Sequence, residues 1–228
     1  MLIKAVLFDV DGTLVDSVDL HAQAWVDAFK EIGHDISFED MREQIGKGGD
    51  QLMPVFLSPE ELKDKGKALE TRRGEIFRQS YLPRVRAFPG AADLLRRVDK
   101  AGLRTALASS AKDEELAALK RILGIEDDRL DAETSSSDAE RSKPFPDIFE
   151  AALARLPGVS AGETVAIGDT PYDAEAAGKA GMRTIGVLCG GFPEQALRDA
   201  GCIAIYRDPA HLLEEYETSP LGAGGMPD

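Results

Sequence analysis

The chain has 228 residues, 43% of them hydrophobic and 30% charged, with 41 Asp and Glu against 27 Lys and Arg and a formal charge of −14. This composition excludes a disordered chain, and the negative balance argues against nucleic acid or an anionic membrane as a partner, since both need a basic surface. No apolar run is long enough to span a membrane, and the N-terminal run, which contains Lys4, is too short for a secretory leader. Cys189 and Cys202 form no close-spaced pair and are expected as small buried groups in a reducing compartment, so a cytoplasmic monomer or dimer is expected.

Taken in chain order, the first element is an apolar strand, Leu2 to Phe8, that ends in Asp9-Val10-Asp11-Gly12-Thr13. Aspartates spaced i, i+2 at a strand end point the same way, and the glycine lets the chain turn. Such a crowded pair asks for a metal, a proton-transfer role or both; the alternative is a polar strand-to-loop turn. Val18, Ala22, Trp25, Phe29 and Ile32 recur at helical spacing up to Gly33. Ser37-Phe38-Glu39-Asp40 signals a short second helix, followed by a flexible loop at Gly46-Lys47-Gly48-Gly49. Ser58-Pro59-Glu60-Glu61 starts a helix predicted over 59–80. No strand is expected between residues 16 and 84, which reads as an all-helical insert.

Beyond Phe88-Pro89-Gly90 the pattern alternates. Helices are predicted near 90–101, 112–123, 146–156, 172–180 and 193–200, and strands at 105–108, 130–134, 164–167, 184–188 and 202–205. Alternation of this kind implies parallel strands with right-handed crossovers. Residues 218–228, rich in Gly and Pro, are expected as a disordered tail. The resulting organisation is an α/β core (1–15 and 85–217) interrupted by a helical unit (16–84).

In a parallel sheet the C-terminal strand ends share one edge, where open α/β sheets bind ligands. Asp9, Asp11, Ser109 and Asp169 each follow a predicted strand and should meet there; Lys143 precedes a predicted helix. Each alone has an ordinary reading as a helix cap, a turn or a solvated cation. Their joint occurrence at successive strand ends does not.

This pattern resembles the haloacid dehalogenase superfamily over nearly the whole chain. Asp9-Val10-Asp11-Gly12-Thr13, Ser109, Lys143 and Gly168-Asp169 with Asp173 resemble its four motifs, and Lys143-Pro144-Phe145-Pro146-Asp147-Ile148-Phe149 is close to the usual spelling. The insert is similar to the cap of the phosphoglycolate phosphatase and β-phosphoglucomutase branches. The resemblance implies a doubly wound, Rossmann-like parallel sheet and an Mg²⁺-dependent phosphatase acting on a small phosphorylated metabolite. It implies Asp9 as nucleophile, Asp11 as general acid and base, and Ser109 with a nearby N–H as holder of the phosphoryl oxygens. Lys143 would neutralise charge on Asp9 and the phosphate. Asp9, Asp169 and the backbone carbonyl of Asp11 would bind Mg²⁺, with Asp173 behind them. A local cation and Lys143 would also let so acidic a protein accept an anion.

Asp11 separates the chain from dehalogenases, which resemble the nucleophile motif but lack the second aspartate. Asp16-Ser17 and His21 suit the mutase branch, whereas Gly168 and Gly49 stand where that branch has an acid and an arginine. A catalytically silent binding protein on the same fold is the third reading. In the insert, Lys47 is either a contact for a substrate anion or an exposed lysine, and His21 either faces the site or packs. Ser110 is taken as a further phosphate contact, Trp25 and Phe29 as core of the insert, and Arg72 and Arg73 as solvated.

Overall fold

The computed structural model describes residues 2–125 and 130–222. Its centre is strand β1 (Ala5–Phe8), buried along its whole length. β2 (Val15–Asp16), β3 (Arg86–Ala87), β4 (Arg104–Ala108), β5 (Ala132–Thr134), β6 (Thr164–Gly168), β7 (Arg183–Val187) and β8 (Cys202–Tyr206) complete the strands. Six of them form one sheet in the order β5-β4-β1-β6-β7-β8, parallel throughout. Phe8 pairs with Leu107 of β4 and Ile167 of β6, so the three strands end at one level. The doubly wound α/β expectation therefore holds.

The period of two along β1 builds the core. Val6 and Phe8 face one apolar cluster with Leu107, Val165 and Ile167. Ala5 and Leu7 face another, with Ala106, Ala108 and Ala166. Helices α5 (Ala91–Lys100) and α6 (Asp113–Leu123) contribute Leu94, Val98, Leu116 and Leu119 to the first. α7 (Asp147–Ala154) and α8 (Pro171–Lys179) contribute Ile148, Phe149, Ala176 and Ala177 to the second. Burying apolar side chains on both faces makes β1 the natural centre of a parallel sheet.

Between β2 and β3 lie helices α1 (Val18–Glu31), α2 (Phe38–Arg42), α3 (Gly49–Phe56) and α4 (Pro59–Ile76), followed by a wide π-type turn at Phe77–Tyr81. β2 and β3 pair antiparallel, Val15 with Ala87 and Asp16 with Arg86, so the entry and exit of the helical segment are tied together. The long helix starts on a full capping box, Ser58 with Glu61, and Pro59 in its first turn, as its sequence signals.

Three features differ from expectation. The Gly46–Gly49 stretch is not simply a loop, because Gly49 opens a helix that tolerates Pro54. A helix at Pro209–Glu214, capped by Asp208, had no sequence expectation. In the expected tail, Ser219 and Leu221 are buried, and Leu221 joins the main core; residues 223–228 lie outside the described residues. A single apolar residue carries no period, so its packing is invisible before folding. Among the described residues no helix is long and apolar enough to cross a membrane.

Candidate active site

The residues following β1, β4 and β6 are Asp9, Ser109 and Asp169, which the common register brings to one edge of the sheet. Lys143, 1% exposed, enters from the loop before α7. Its Nζ donates to Asp9 Oδ1 at 2.5 Å and to the Ala108 carbonyl at 3.3 Å, and lies 2.7 Å from Asp173 Oδ1. Asp173 is fixed by the capping box of α8, where Thr170 N and Oγ1 donate to its Oδ2. Thr13 Oγ1 sits 3.1 Å from both Asp9 Oδ2 and Asp169 Oδ1, with one proton to serve one of them at a time.

Asp9, Asp169 and Asp173 thus bring ligand oxygens within 4.8 Å of one another, all buried. One ammonium opposes three carboxylates. Burial and the neighbouring Asp173 push the Asp9 carboxyl up to about 7, against the pull of Lys143. Burial, Asp173 and Asp9 likewise drive Asp169 well above the usual carboxylate range. Burial opposes ionisation of Lys143, but Asp173 and Asp9 more than offset it and raise its affinity for its proton.

Asp169 Oδ2 is buried with no hydrogen-bond partner. It is wedged between two glycines: a Cβ on Gly190 would stand 1.7 Å from it, and one on Gly12, whose φ is +83°, 2.3 Å. Gly190→Ala is therefore expected to displace Asp169, with loss of activity and of any metal-induced rise in the thermal midpoint; a wild-type metal response in a melting assay would refute this. The donor set is all oxygen and short of positive charge, and one oxygen is orphaned. It fits a hard divalent cation such as Mg²⁺. Asp173, expected behind the ligands, is itself one of the three clustered carboxylates.

The Asp11 carboxylate turns away from this cluster. Ser17 Oγ donates to its Oδ1 at 2.6 Å, and His21 Nε2 lies 3.0 Å from the same atom. Ser17 stands at the N-cap of the first helix, yet its hydroxyl makes no cap bond. Burial would raise the Asp11 carboxyl, but His21, the Ser17 hydrogen bond and Arg73 together hold it below its ordinary value. His21 stacks on Phe77 at 3.9 Å between ring centroids. Ser109 is fully buried, and its Oγ accepts from Ala111 N at 3.1 Å.

Asp9 and Asp11 open into a cavity of about 470 Å³, solvent mouth included, walled by His21, Lys47, Ser110, Trp25, Arg73 and Glu115 among others. Lys47 donates to Gln44 Oε1 at 2.6 Å and lies 4.7 Å from the Tyr172 ring centroid. Trp25 is core, as expected, and it also lines the cavity. One expectation needs correction: Arg73, expected in solvent, is only 13% exposed. Arg72 does face solvent, paired with Glu31 and Glu75. The signal for Arg73 is present in the sequence: Leu69, Arg73 and Phe77 recur every four residues, placing a cation on the apolar face of its helix. Glu115, four residues before Leu119 on α6, carries the same signal.

A doubly wound sheet with buried carboxylates and a lysine at its C-terminal edge, beside an inserted helical segment, places a charged site where open α/β enzymes carry theirs. The chain belongs to the haloacid dehalogenase-like hydrolase family, whose model matches residues 3–181. It is 36% identical over 213 residues to the Arabidopsis thaliana protein SUPPRESSOR OF QUENCHING 1, chloroplastic, covering 92% of this chain but only 20% of that protein. It is 33% identical over 196 residues to the plasmid protein CbbY of Cupriavidus necator, covering 80% of this chain and 77% of that one. A hydrolase from Pseudomonas syringae superposes with a TM-score of 0.85 at 26% identity, over 94% of this chain and 98% of that one. A CbbY variant from Rhodobacter sphaeroides in complex with xylulose-(1,5)bisphosphate superposes with a TM-score of 0.70 at 28% identity, over 92% and 96%. The protein is a hydrolase, and the phosphatase names among its relatives support phosphoric monoesters as its substrate class.

Proposed function

We propose that the chain is an Mg²⁺-dependent phosphatase that hydrolyses a small phosphorylated metabolite, of the sugar phosphate or phosphoglycolate type, through an aspartyl-phosphate. The observation that carries this reading is Asp9, held by Lys143 and Thr13 beside Asp169, with Asp11 alongside on one cavity. Relatives named phosphorylated carbohydrates phosphatase (27% identical) and phosphoglycolate phosphatase (29% identical) support the substrate class.

In the first step an Asp9 carboxylate oxygen attacks phosphorus, the ester P–O bond breaks, and Asp11 passes its proton to the leaving oxygen. In the second, water attacks the same phosphorus. Asp11 takes the water proton, the Asp9–phosphorus bond breaks, and inorganic phosphate leaves. The neighbours that lower the proton affinity of Asp11 favour its ionised form, the form that takes the water proton in the second step. In the first, its proton goes to an alkoxide far more basic than a carboxylate. Lys143 holds the Asp9 oxygen in line and offsets charge on the phosphoryl group, with Ser109 and Ser110 beside it. Asp9, Asp169 and the backbone carbonyl of Asp11 would hold Mg²⁺, with Asp173 adjacent. When bound, it neutralises charge on Asp9 and on the phosphoryl oxygens.

Residues 1–15 and 85–217 act as the catalytic core and 16–84 as the cap, and the location is cytoplasmic in this reading, supported by two free cysteines. A mutase is disfavoured at Gly168, where a Cβ would stand 2.5 Å from that of Asp173, leaving no room for an acid. Mg²⁺-dependent phosphate release from an aryl phosphate tests the reading; no turnover across a broad phosphate ester panel would sink it. Lys47→Ala removes a contact between the cap and Tyr172, and is expected to raise KM by about fivefold or less with kcat retained, a magnitude set by one cation–π contact. Unchanged KM on the preferred substrate would remove Lys47 from the binding role.

A further inference from the structure

Two charged groups in the cavity wall have no part in the steps above. Arg73 comes from the last turn of the long cap helix, and Glu115 from the first turn of α6 in the core. Glu115 is 3% exposed. Its Oε2 lies 3.6 Å from an Arg73 terminal nitrogen, and its Oε1 lies 3.7 Å from His21 Nε2. Both are ion-pair distances, and both are too long for hydrogen bonds. Arg73 Nε and Nη1 are buried with no hydrogen-bond partner, while the guanidinium stands 5.1 Å from the Trp25 ring centroid. Unspent donors and an acceptor therefore face one cavity, next to Asp9 and Asp11. Lys47 is already engaged with Gln44.

Buried donors of this kind call for acceptors from a bound molecule. A guanidinium by itself would suit a carboxylate or a second phosphate. The carboxylate beside it reverses that preference, because a second anion would sit against Glu115 and Asp11 in a low-dielectric site. A hydroxyl meets both needs, its oxygen accepting from Arg73 and its proton going to Glu115.

We propose that Arg73 and Glu115 form a reader of hydroxyl groups on the leaving alcohol, making monophosphates of neutral sugars or polyols, rather than bisphosphates or phosphocarboxylates, the substrates of this enzyme. The inference rests on the phosphatase reading and narrows it. It sets this chain apart from the CbbY relative in complex with xylulose-(1,5)bisphosphate.

The test is a kcat/KM panel on the full chain with Mg²⁺, covering an aryl phosphate, hexose and pentose monophosphates, glycerol phosphate, xylulose-(1,5)bisphosphate and phosphoglycolate. At least one sugar or polyol monophosphate is expected to exceed both anionic-tailed substrates, the bisphosphate and phosphoglycolate, by about tenfold or more, the scale of one close like-charge contact. Glu115→Gln keeps the shape and removes the charge, so it is expected to shift that ratio about tenfold toward the bisphosphate and phosphoglycolate, chiefly through KM. A wild-type preference for either of those two overturns the proposal, as does a ratio unmoved in a Glu115→Gln protein with a normal melting curve. The wild-type ranking stands as a test even if the variant fails to fold. Turnover of the aryl phosphate with the wrong ranking defeats this inference alone, whereas no turnover of any ester defeats the phosphatase reading and this inference with it.

Discussion

Asp9→Asn is expected to abolish phosphate release, by about 10⁴-fold or more, the scale seen when a covalent nucleophile is removed, while leaving the fold intact. An amide nitrogen and carbonyl occupy the same volume as the carboxylate but form no acyl phosphate. The fold survives because Lys143 is not stranded: its Nζ keeps Asp173 Oδ1 at 2.7 Å and the Ala108 carbonyl. Thr13 keeps its contact with Asp169 as well. Circular dichroism and a melting curve close to wild type, together with loss of phosphate release and of phosphoenzyme trapping, are the expected results. Residual turnover near wild type would mean that another group attacks phosphorus.

Asp169→Asn should show the second large effect, and in opposite directions for stability and activity. Asp9 and Asp169 both bind their protons more tightly in the folded chain than in the unfolded one, Asp9 up to about 7. A carboxyl raised in this way contributes stability that is fully present below its unfolded pKa near 4 and is lost as pH rises through its folded value. The metal-free protein is therefore expected to melt lower at pH 8 than at pH 5. Lys143, raised further above its ordinary alkaline range, does not titrate in that window. Mg²⁺ should recover the loss at pH 8, since it binds only the ionised cluster. Asparagine at 169 removes one buried charge whose Oδ2 has no partner, and a neutral amide is cheaper to bury than an unpaired carboxylate. The metal-free variant should melt about 3 °C or more above wild type at pH 8, corresponding to about 1 kcal/mol or more in a domain of this size. It should also lose both turnover and the response to Mg²⁺. A metal-free wild type whose midpoint climbs from pH 5 to pH 8, or a variant that still gains stability from Mg²⁺, would refute this account of the cluster.

Much of this is written locally in the chain. The apolar run ending at Phe8, the Ser58–Glu61 capping box and the alternation beyond Pro89 state the helices and strands within a few residues, because period and caps are properties of neighbours. Asp9, Ser109 and Asp169 are legible for the same reason: each directly follows a strand, and parallel strands share an edge; Asp11 is legible from its i, i+2 spacing to Asp9. The short pair β2 and β3 was not legible, since two residues carry no period and the pairing joins Asp16 to Arg86 across the whole insert.

What the tertiary structure alone decided is which charges meet. Arg72 and Arg73 are the same residue type one position apart, yet one faces solvent between Glu31 and Glu75 and the other lies buried against Trp25. Asp173 meets Lys143, and Glu115 meets His21 and Arg73, only once segments distant in the chain have packed. Local sequence sets the backbone period and so the face on which a charge lies. Its partner depends on how two such faces approach, and that is settled by burial of the core, not by the charged residues themselves.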